Sequence, residues 1–292
     1  MATSLKERLQ NELNPAQYEA VSHDDGPLIV IAGAGSGKTR TLTYRAARLV
    51  EDGHAPESIL LLTFTRKAAG EMLRRASDLL DARCHQIAGG TFHSFANSVL
   101  KRYAAALDYP DGYAIIDRPD AESLIAFVVK EKMDIPKLGA FPRKKTLADI
   151  FSKTANKDAS LEDIVDFEYP HFLPYLDVLQ DIQTGYTDIK KQQALMDYDD
   201  LLNNLWLLLD QHPAIRDRIT TRFRHVMVDE YQDTNRVQAR IVRLLAGDHH
   251  NIMVVGDDSQ SIYSFRGADF RNIMEFPDFF PDTRIITLEE NY

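Results

Sequence analysis

The sequence predicts an α/β fold with a parallel sheet and an inserted, mainly helical subdomain. Short runs of β-prone apolar residues alternate with amphipathic helical segments in the first and last thirds of the chain, the pattern of βαβ units. Leu28-Ile29-Val30-Ile31 reads as a buried strand that runs into the small-residue stretch Ala32-Gly33-Ala34-Gly35-Ser36-Gly37 and then a helix opened by Lys38-Thr39. From about residue 108 to 195 strong strands disappear, while helical apolar spacing continues.

Taken in order, Asn14 before Pro15 reads as an N-cap and first helical position, so a short helix precedes the first strand. The helix after the small-residue loop carries Leu42, Ala46 and Leu49 on one face. Ser58 to Thr65 is a second buried strand, followed by a helix over Arg66 to Asp81; a third strand around Ile87 to Phe92 leads into a helix over His93 to Leu107. The insertion has helical spacing in Ala121 to Met133, Leu147 to Thr154 and Leu173 to Ile189. The α/β rhythm then resumes, with helices from Met196 and Pro213, a strand over His225 to Asp233 that ends in acidic residues, and further strands at Asn251 to Asp258 and Arg284 to Leu288. The expected organisation is a discontinuous domain of residues 1–107 and 196–292 with an insertion at 108–195. A chain that stops just after a strand, with no helix to close the unit, reads as cut.

Composition is that of a soluble globular protein, with 44% hydrophobic and 27% charged residues in 292. No apolar run reaches the roughly 18 residues of a membrane span, and Met1 to Asn14 lacks the apolar core of a secretory signal. Cys84 is the single cysteine, which excludes an internal disulfide. These features predict a cytoplasmic protein without a membrane partner. The net charge of −10 argues against a nucleic-acid partner only weakly, because local clusters such as Arg66-Lys67 and Arg143-Lys144-Lys145 decide such binding.

The loop chemistry points to a nucleoside triphosphate. A stretch with almost no side chains lets successive backbone N–H groups and a helix N-terminus surround phosphates. Ala32, Gly33, Ala34, Gly35, Ser36 and Gly37 supply it; Lys38 would reach the β/γ-phosphates and Thr39 would sit on Mg²⁺. Ala32 stands where the strict phosphate-loop pattern has glycine, so the match is to the looser small-residue form. Hydrolysis needs a metal anchor and a base as well. Asp229-Glu230 ends a buried strand, where consecutive side chains point to opposite sides, so Asp229 can hold Mg²⁺ while Glu230 acts on water. Gln260 follows another strand end as a candidate γ-phosphate contact. Tyr263, Phe265 and Arg266 beside it offer the stacking faces and guanidinium of sequence-independent single-strand binding.

Together these stretches resemble the N-terminal part of UvrD/Rep/PcrA-type superfamily 1 DNA helicases. The resemblance covers Asn14 to Val21, Ala32 to Thr39, Thr63 to Met72, Gly90 to Ser94, Met196 to Leu202, Val228 to Asp233 and Val255 to Asp269, and stops inside a last motif at Leu288 to Tyr292. It implies a RecA-like P-loop ATPase domain and, in the intact protein, 3′-to-5′ translocation on single-stranded DNA with unwinding at duplex junctions. It assigns Gln17 and Tyr292 to adenine, Lys38 and Thr39 to phosphates and Mg²⁺, Arg40 to a further nucleotide contact, Asp229 and Glu230 to metal and base, and Gln260 to γ-phosphate sensing. Phe64, His93, Tyr263 and Phe265 fall where similar proteins touch single-stranded DNA.

Several positions depart from the family pattern: Arg66 replaces a common asparagine, Tyr231 a phenylalanine, and Ser264-Phe265 an Arg-Trp pair. The arginine that usually follows Asn-Tyr, and the second RecA-like domain, lie outside the sequence. The chain is therefore expected to bind ATP, hydrolyse it slowly and not unwind DNA. The rival readings are an ATP-gated DNA-binding or interaction module, and the motor part of a helicase–nuclease subunit.

Overall fold

The computed structural model describes residues 5–110, 112–132, 140–157, 159–257 and 271–288. They form two compact units, Met1–Phe95 with His212–Tyr292, and Ala96–Gln211.

The first unit opens with α1 (Leu5–Glu12) and α2 (Pro15–Ser22), then β1 (Leu28–Ala32), α3 (Lys38–Glu51), β2 (Ile59–Thr63), α4 (Arg66–Leu79), β3 (Ala88–Thr91) and the start of α5 (Phe92–Tyr103). The helix α1 has no counterpart among the sequence expectations, although Leu5, Leu9 and Leu13 repeat at helical spacing and are all buried. As expected, Asn14 caps α2: its Oδ1 accepts the N–H of Gln17 at 2.8 Å, and Gln17 Oε1 accepts the N–H of Asn14 at 3.2 Å, a reciprocal capping box. Thr65 caps α4 through the N–H of Ala68.

The second unit holds most of α5, then β4 (Ala114–Ile115), α6 (Arg118–Lys132), α7 (Lys144–Lys157), α8 (Leu161–Glu168), α9 (Leu176–Gln192), β5 (Leu195–Met196) and α10 (Tyr198–Gln211). Its core is separate, built from Ile125, Leu147, Ile150, Phe151, Val165, Leu179 and Ile182 among others. The two short strands pair in parallel, Ala114 with Leu195 and Ile115 with Met196, so the two arms of the insertion are tied side by side. The compact unit is wider than the expected 108–195. The apolar face of α10, with Leu201, Leu205 and Leu208 buried, packs against α7, β5 and the 3-10 turn after α5.

The chain returns to the first unit with α11 (Pro213–Arg222), β6 (His225–Val228), α12 (Arg236–Leu245), β7 (Ile252–Gly256), α13 (Arg271–Met274), α14 (Phe276–Phe279) and β8 (Arg284–Leu288). Six strands make one sheet in the order β3-β2-β6-β7-β1-β8, every neighbouring pair parallel. The strands β2, β6 and β7 are buried along their whole length, which is why they read as unbroken apolar runs. Leu28, Val30, Leu61, Met227, Met253, Val255 and Ile286 join α1 to α4 in one core cluster. In a parallel sheet all carboxyl ends lie on one edge. The order β6-β7-β1 therefore brings Asp229, Asp257 and the loop after β1 together.

Two arginines of α3, the buried Arg45 and the half-buried Arg48, fasten α2 to it. Arg45 donates to the carbonyls of Ala20 (3.2 Å) and Asp24 (3.2 Å), and Arg48 to the carbonyl of Val21 (2.9 Å), covering the open C-terminal carbonyls of α2. No helix among the described residues is long and apolar enough to cross a membrane.

Candidate nucleotide site

The loop after β1 is shaped by its own backbone. Ser36 is buried; its Oγ donates to the carbonyl of Gly33 at 2.7 Å and its N–H to the same oxygen at 3.3 Å. Gly37 sits in left-handed backbone at φ 90°, and a Cβ there would overlap Gln17 Nε2. Glycine is thus favoured at 37 by conformation, and any Cβ there would have to displace the Gln17 amide. No side chain caps α3, so the open N–H groups of its first turn and the positive end of its dipole are offered to an anion. The structure thereby gives Ala32 to Thr39 the strand–loop–helix form that the sequence predicts, with Thr39 half-buried in the first turn.

Gln17 is held beneath this loop. It is fully buried, and its Nε2 donates to the carbonyl of Ser36 at 3.0 Å. The amide expected to meet adenine bonds the phosphate loop and its own helix cap. Arg40 points toward α1, where its guanidinium lies 3.6 Å from Glu12 and against the ring of Tyr44. Glu12 also accepts from Arg8 at 2.9 Å and from the Tyr44 hydroxyl, whose hydrogen bond is the largest influence holding the Glu12 carboxyl below its ordinary range.

Lys38 and the acidic strand ends meet directly. Its Nζ donates to Glu230 Oε2 at 3.1 Å and lies 3.6 Å from Asp257 Oδ2. Glu230 occupies left-handed backbone at φ 51° and is more exposed than its partners. Asp229 is buried, and its Oδ1 has no hydrogen-bond partner. Burial first, and the neighbouring Glu230 second, push its carboxyl up to about 6 against the pull of Lys38. A desolvated carboxylate with an unused oxygen is the chemistry of a cation ligand.

Two further residues complete the array and were not singled out from sequence. Asp257 is fully buried at the end of β7; its signal, an acid closing a buried strand, is the one that identified Asp229. Gln232, on the 3-10 turn Tyr231–Asp233, donates from Nε2 to Glu230 Oε2 at 2.8 Å and accepts the N–H of Asp257 on Oε1 at 3.0 Å. It lies within Val228 to Asp233, a stretch that carries the family resemblance, but no chemistry is assigned to it there.

Phe64 and His93 lie at the ends of β2 and β3, on the same edge but away from the phosphate loop. Phe64 is 38% exposed with its ring 6.4 Å from that of Phe92, which is core. Burial lowers the pKa of His93, favouring neutral imidazole. Gln260, Tyr263, Phe265 and Tyr292 lie outside the described residues.

Comparison with known proteins bears on the same edge. The family model described as the UvrD/REP helicase N-terminal domain matches residues 13–281, from the capping box of α2 through the end of α14. The chain belongs to this family. The chain is 37% identical over 289 residues to the ATP-dependent DNA helicase PcrA of Bacillus subtilis, covering 99% of the chain and 38% of that protein. It is 35% identical over 286 residues to the PcrA proteins of Staphylococcus aureus (strain Mu50) and Staphylococcus epidermidis, again covering 38% of each. The chain thus spans well under half the length of the curated relatives it matches. As a UvrD/REP N-terminal domain it has the expected α/β fold with the six-stranded parallel sheet described above.

Proposed function

We propose that this chain is the ATP-binding part of a DNA helicase that hydrolyses ATP to move 3′ to 5′ along single-stranded DNA and to open duplex junctions. The observation that carries the reading is the meeting of Lys38 and Glu230 at 3.1 Å, at an uncapped helix N-terminus and beside the Asp229 carboxylate, whose Oδ1 has no hydrogen-bond partner. The names of the relatives, ATP-dependent DNA helicases, support ATP and DNA as substrates.

The residues fit Mg²⁺: Asp229 has a buried, unused oxygen, and Thr39 supplies a hydroxyl on the first turn of α3. When bound, the ion would neutralise charge on the phosphates. The chain's own groups account for the rest. The α3 amides and Lys38 hold the phosphates, which requires Lys38 to leave Glu230; the freed Glu230 orients and deprotonates water. Gln260 senses the γ-phosphate, and Gln17, Arg40 and Tyr292 contact the remainder of the nucleotide. Phe64, His93, Tyr263 and Phe265 bind single-stranded DNA.

The 38% share of the relatives' length supports a second RecA-like domain as the facing wall of the site, and a cytoplasmic location suits a DNA motor. An arginine from that wall would be worth about 10³ to 10⁵ in rate. The chain by itself then binds MgATP, hydrolyses it slowly and separates no strands. Unwinding of a 3′-tailed duplex by residues 1–292 unaided would refute this division of labour. In the intact protein Glu230→Gln should abolish unwinding while ATP still binds; retained unwinding would remove Glu230 from the chemistry.

A further inference from the structure

The Glu230 carboxylate is held from two sides. The residue's backbone is left-handed at φ 51°, a strained conformation that the surrounding structure must hold, and its carboxylate is fixed by contacts from other residues. Two are made on Oε2: Lys38 Nζ at 3.1 Å and Gln232 Nε2 at 2.8 Å. They are not equivalent. A phosphate-loop lysine is drawn to the phosphates when nucleotide arrives, whereas the Gln232 amide is anchored on its other side by the N–H of Asp257 at 3.0 Å.

The surroundings are built to admit Gln232. The side chain is buried and packs closely over Gly256: a Cβ there would stand 2.9 Å from Gln232 Oε1 and 2.7 Å from Ile273 Cδ1, so one or both side chains would have to give way. An amide is also the group the position demands. It donates to a carboxylate with one end and accepts an N–H with the other; a carboxylate would repel Glu230, and an apolar isostere would leave a buried N–H unpaired.

We infer that Gln232 is the positioning residue that keeps the Glu230 carboxylate aimed at the attacking water once Lys38 has moved to the phosphates, by tethering it to the end of β7. The inference rests on the proposed ATPase reading and names a residue that touches no reacting atom. The tether also makes Glu230 answer to the backbone where β7 ends, so a displacement of Asp257 is passed to the base through two hydrogen bonds.

The test is steady-state ATP hydrolysis by the intact protein with saturating single-stranded DNA, together with equilibrium ATP binding, for wild type, Q232L, Q232E, E230Q and the Q232L/E230Q pair. Q232L should lower kcat by roughly 10- to 100-fold, the range typical of lost orientation of a reacting group. The KM and Kd for ATP should stay within about threefold, and the double variant should be no slower than E230Q. Q232E, nearly isosteric, should also lose kcat, which keeps the question answerable if Q232L folds poorly. A loss shared between kcat and KM, a multiplicative double variant, or wild-type rates in both variants would overturn the inference. A wild-type protein that bound no ATP would instead sink the functional reading on which it stands.

Discussion

Gln17 Nε2 donates to the carbonyl of Ser36 at 3.0 Å while Gln17 Oε1 accepts the N–H of Asn14 at 3.2 Å. One buried amide thus joins the cap of α2 to the phosphate loop. Gln17→Ala would leave both partners without it, at a cost of about 1 to 3 kcal/mol for each group left unsatisfied. The expected outcome is a lowered urea midpoint and weakened binding of both ATP and inorganic tripolyphosphate, because loop shape is lost. A variant that lost only its preference for ATP over GTP would assign Gln17 to the base alone.

Gly37 is the other half of that contact. Its φ of 90° and the overlap of any Cβ with Gln17 Nε2 mean that Gly37→Ala must either shift Gln17 or change the loop backbone. Left-handed strain alone is about 1 to 2 kcal/mol. ATP affinity should fall at least about tenfold, since one lost amide–phosphate contact in a charge-assisted set is worth 1.4 kcal/mol or more; isothermal titration would show it. Gly35→Ala, equally left-handed at φ 81° but with open space around its Cβ, should cost less.

What the sequence disclosed was local, and what it hid was relational. The run Leu28 to Thr39 and the pair Asp229-Glu230 were legible because strand, turn and charge lie in one short stretch. Gln232 and Asp257 were not, because their meaning depends on β6 and β7 being neighbours, and the order β3-β2-β6-β7-β1-β8 is not written in any single segment. The helix α1 went unread for a related reason: eight mostly polar residues have little helix stability of their own, and Leu5 and Leu9 become informative only once a core exists to bury them. The helix α10 packs within the helical unit although it includes part of Met196 to Leu202, one of the stretches that resemble the family.

His225 makes stability depend on pH. Its ring is buried, with Nε2 sharing a hydrogen bond with His54 Nδ1 at 3.1 Å and Nδ1 without a partner. Burial first, then His54, Arg45 and His249, push it down to about 4 against the opposing charge of Asp25. The unfolded imidazole titrates near 6.5, so between these values the unfolded state binds more protons. Stability is therefore whole above about pH 6.5 and is lost as pH falls toward 4. From pH 7 to pH 5 this group should remove about 2 kcal/mol. His225→Gln should reduce the acid loss by that amount, seen as the wild-type-minus-variant difference in urea midpoints; an unchanged difference would mean that His225 is already charged or wet.

Arg45 offers a test of how firmly α2 is held. It is buried among the carbonyls at the end of α2, and desolvation lowers its pKa to about 10. Arg45→Met keeps the stem and removes the donors, leaving the carbonyls of Ala20 and Asp24 unpaired. The expected loss is about 3 kcal/mol. Nucleotide affinity should fall with it, because α2 carries Gln17 and α3 carries Lys38. Full affinity in a destabilised variant would show that the Gln17 contact survives without the clamp.

Lys190 does for the helical unit what no apolar residue there does. Its ammonium lies 2.6 Å from both Asp197 Oδ2 and Asp200 Oδ2 and 4.1 Å from the centre of the Tyr186 ring, whose hydroxyl donates to Asp197. The two aspartates also cap α10 reciprocally, each accepting the backbone N–H of the other. Even with Lys190 present, burial raises Asp200 to about 6, while the Lys190 charge helps hold Asp197 below its ordinary range. Lys190→Met would leave two half-buried carboxylates facing each other without their cation, a loss below the about 3 to 5 kcal/mol of a fully buried pair broken from one side. Part of that loss should be recovered at pH 5, where one carboxylate takes up a proton. Because Lys190 lies in Ala96–Gln211 and the described nucleotide-site residues lie in the other unit, ATP affinity of the folded variant should be unchanged. Limited proteolysis should then cut first between 96 and 211. Cleavage at wild-type rates would mean that the carboxylates are satisfied without Lys190.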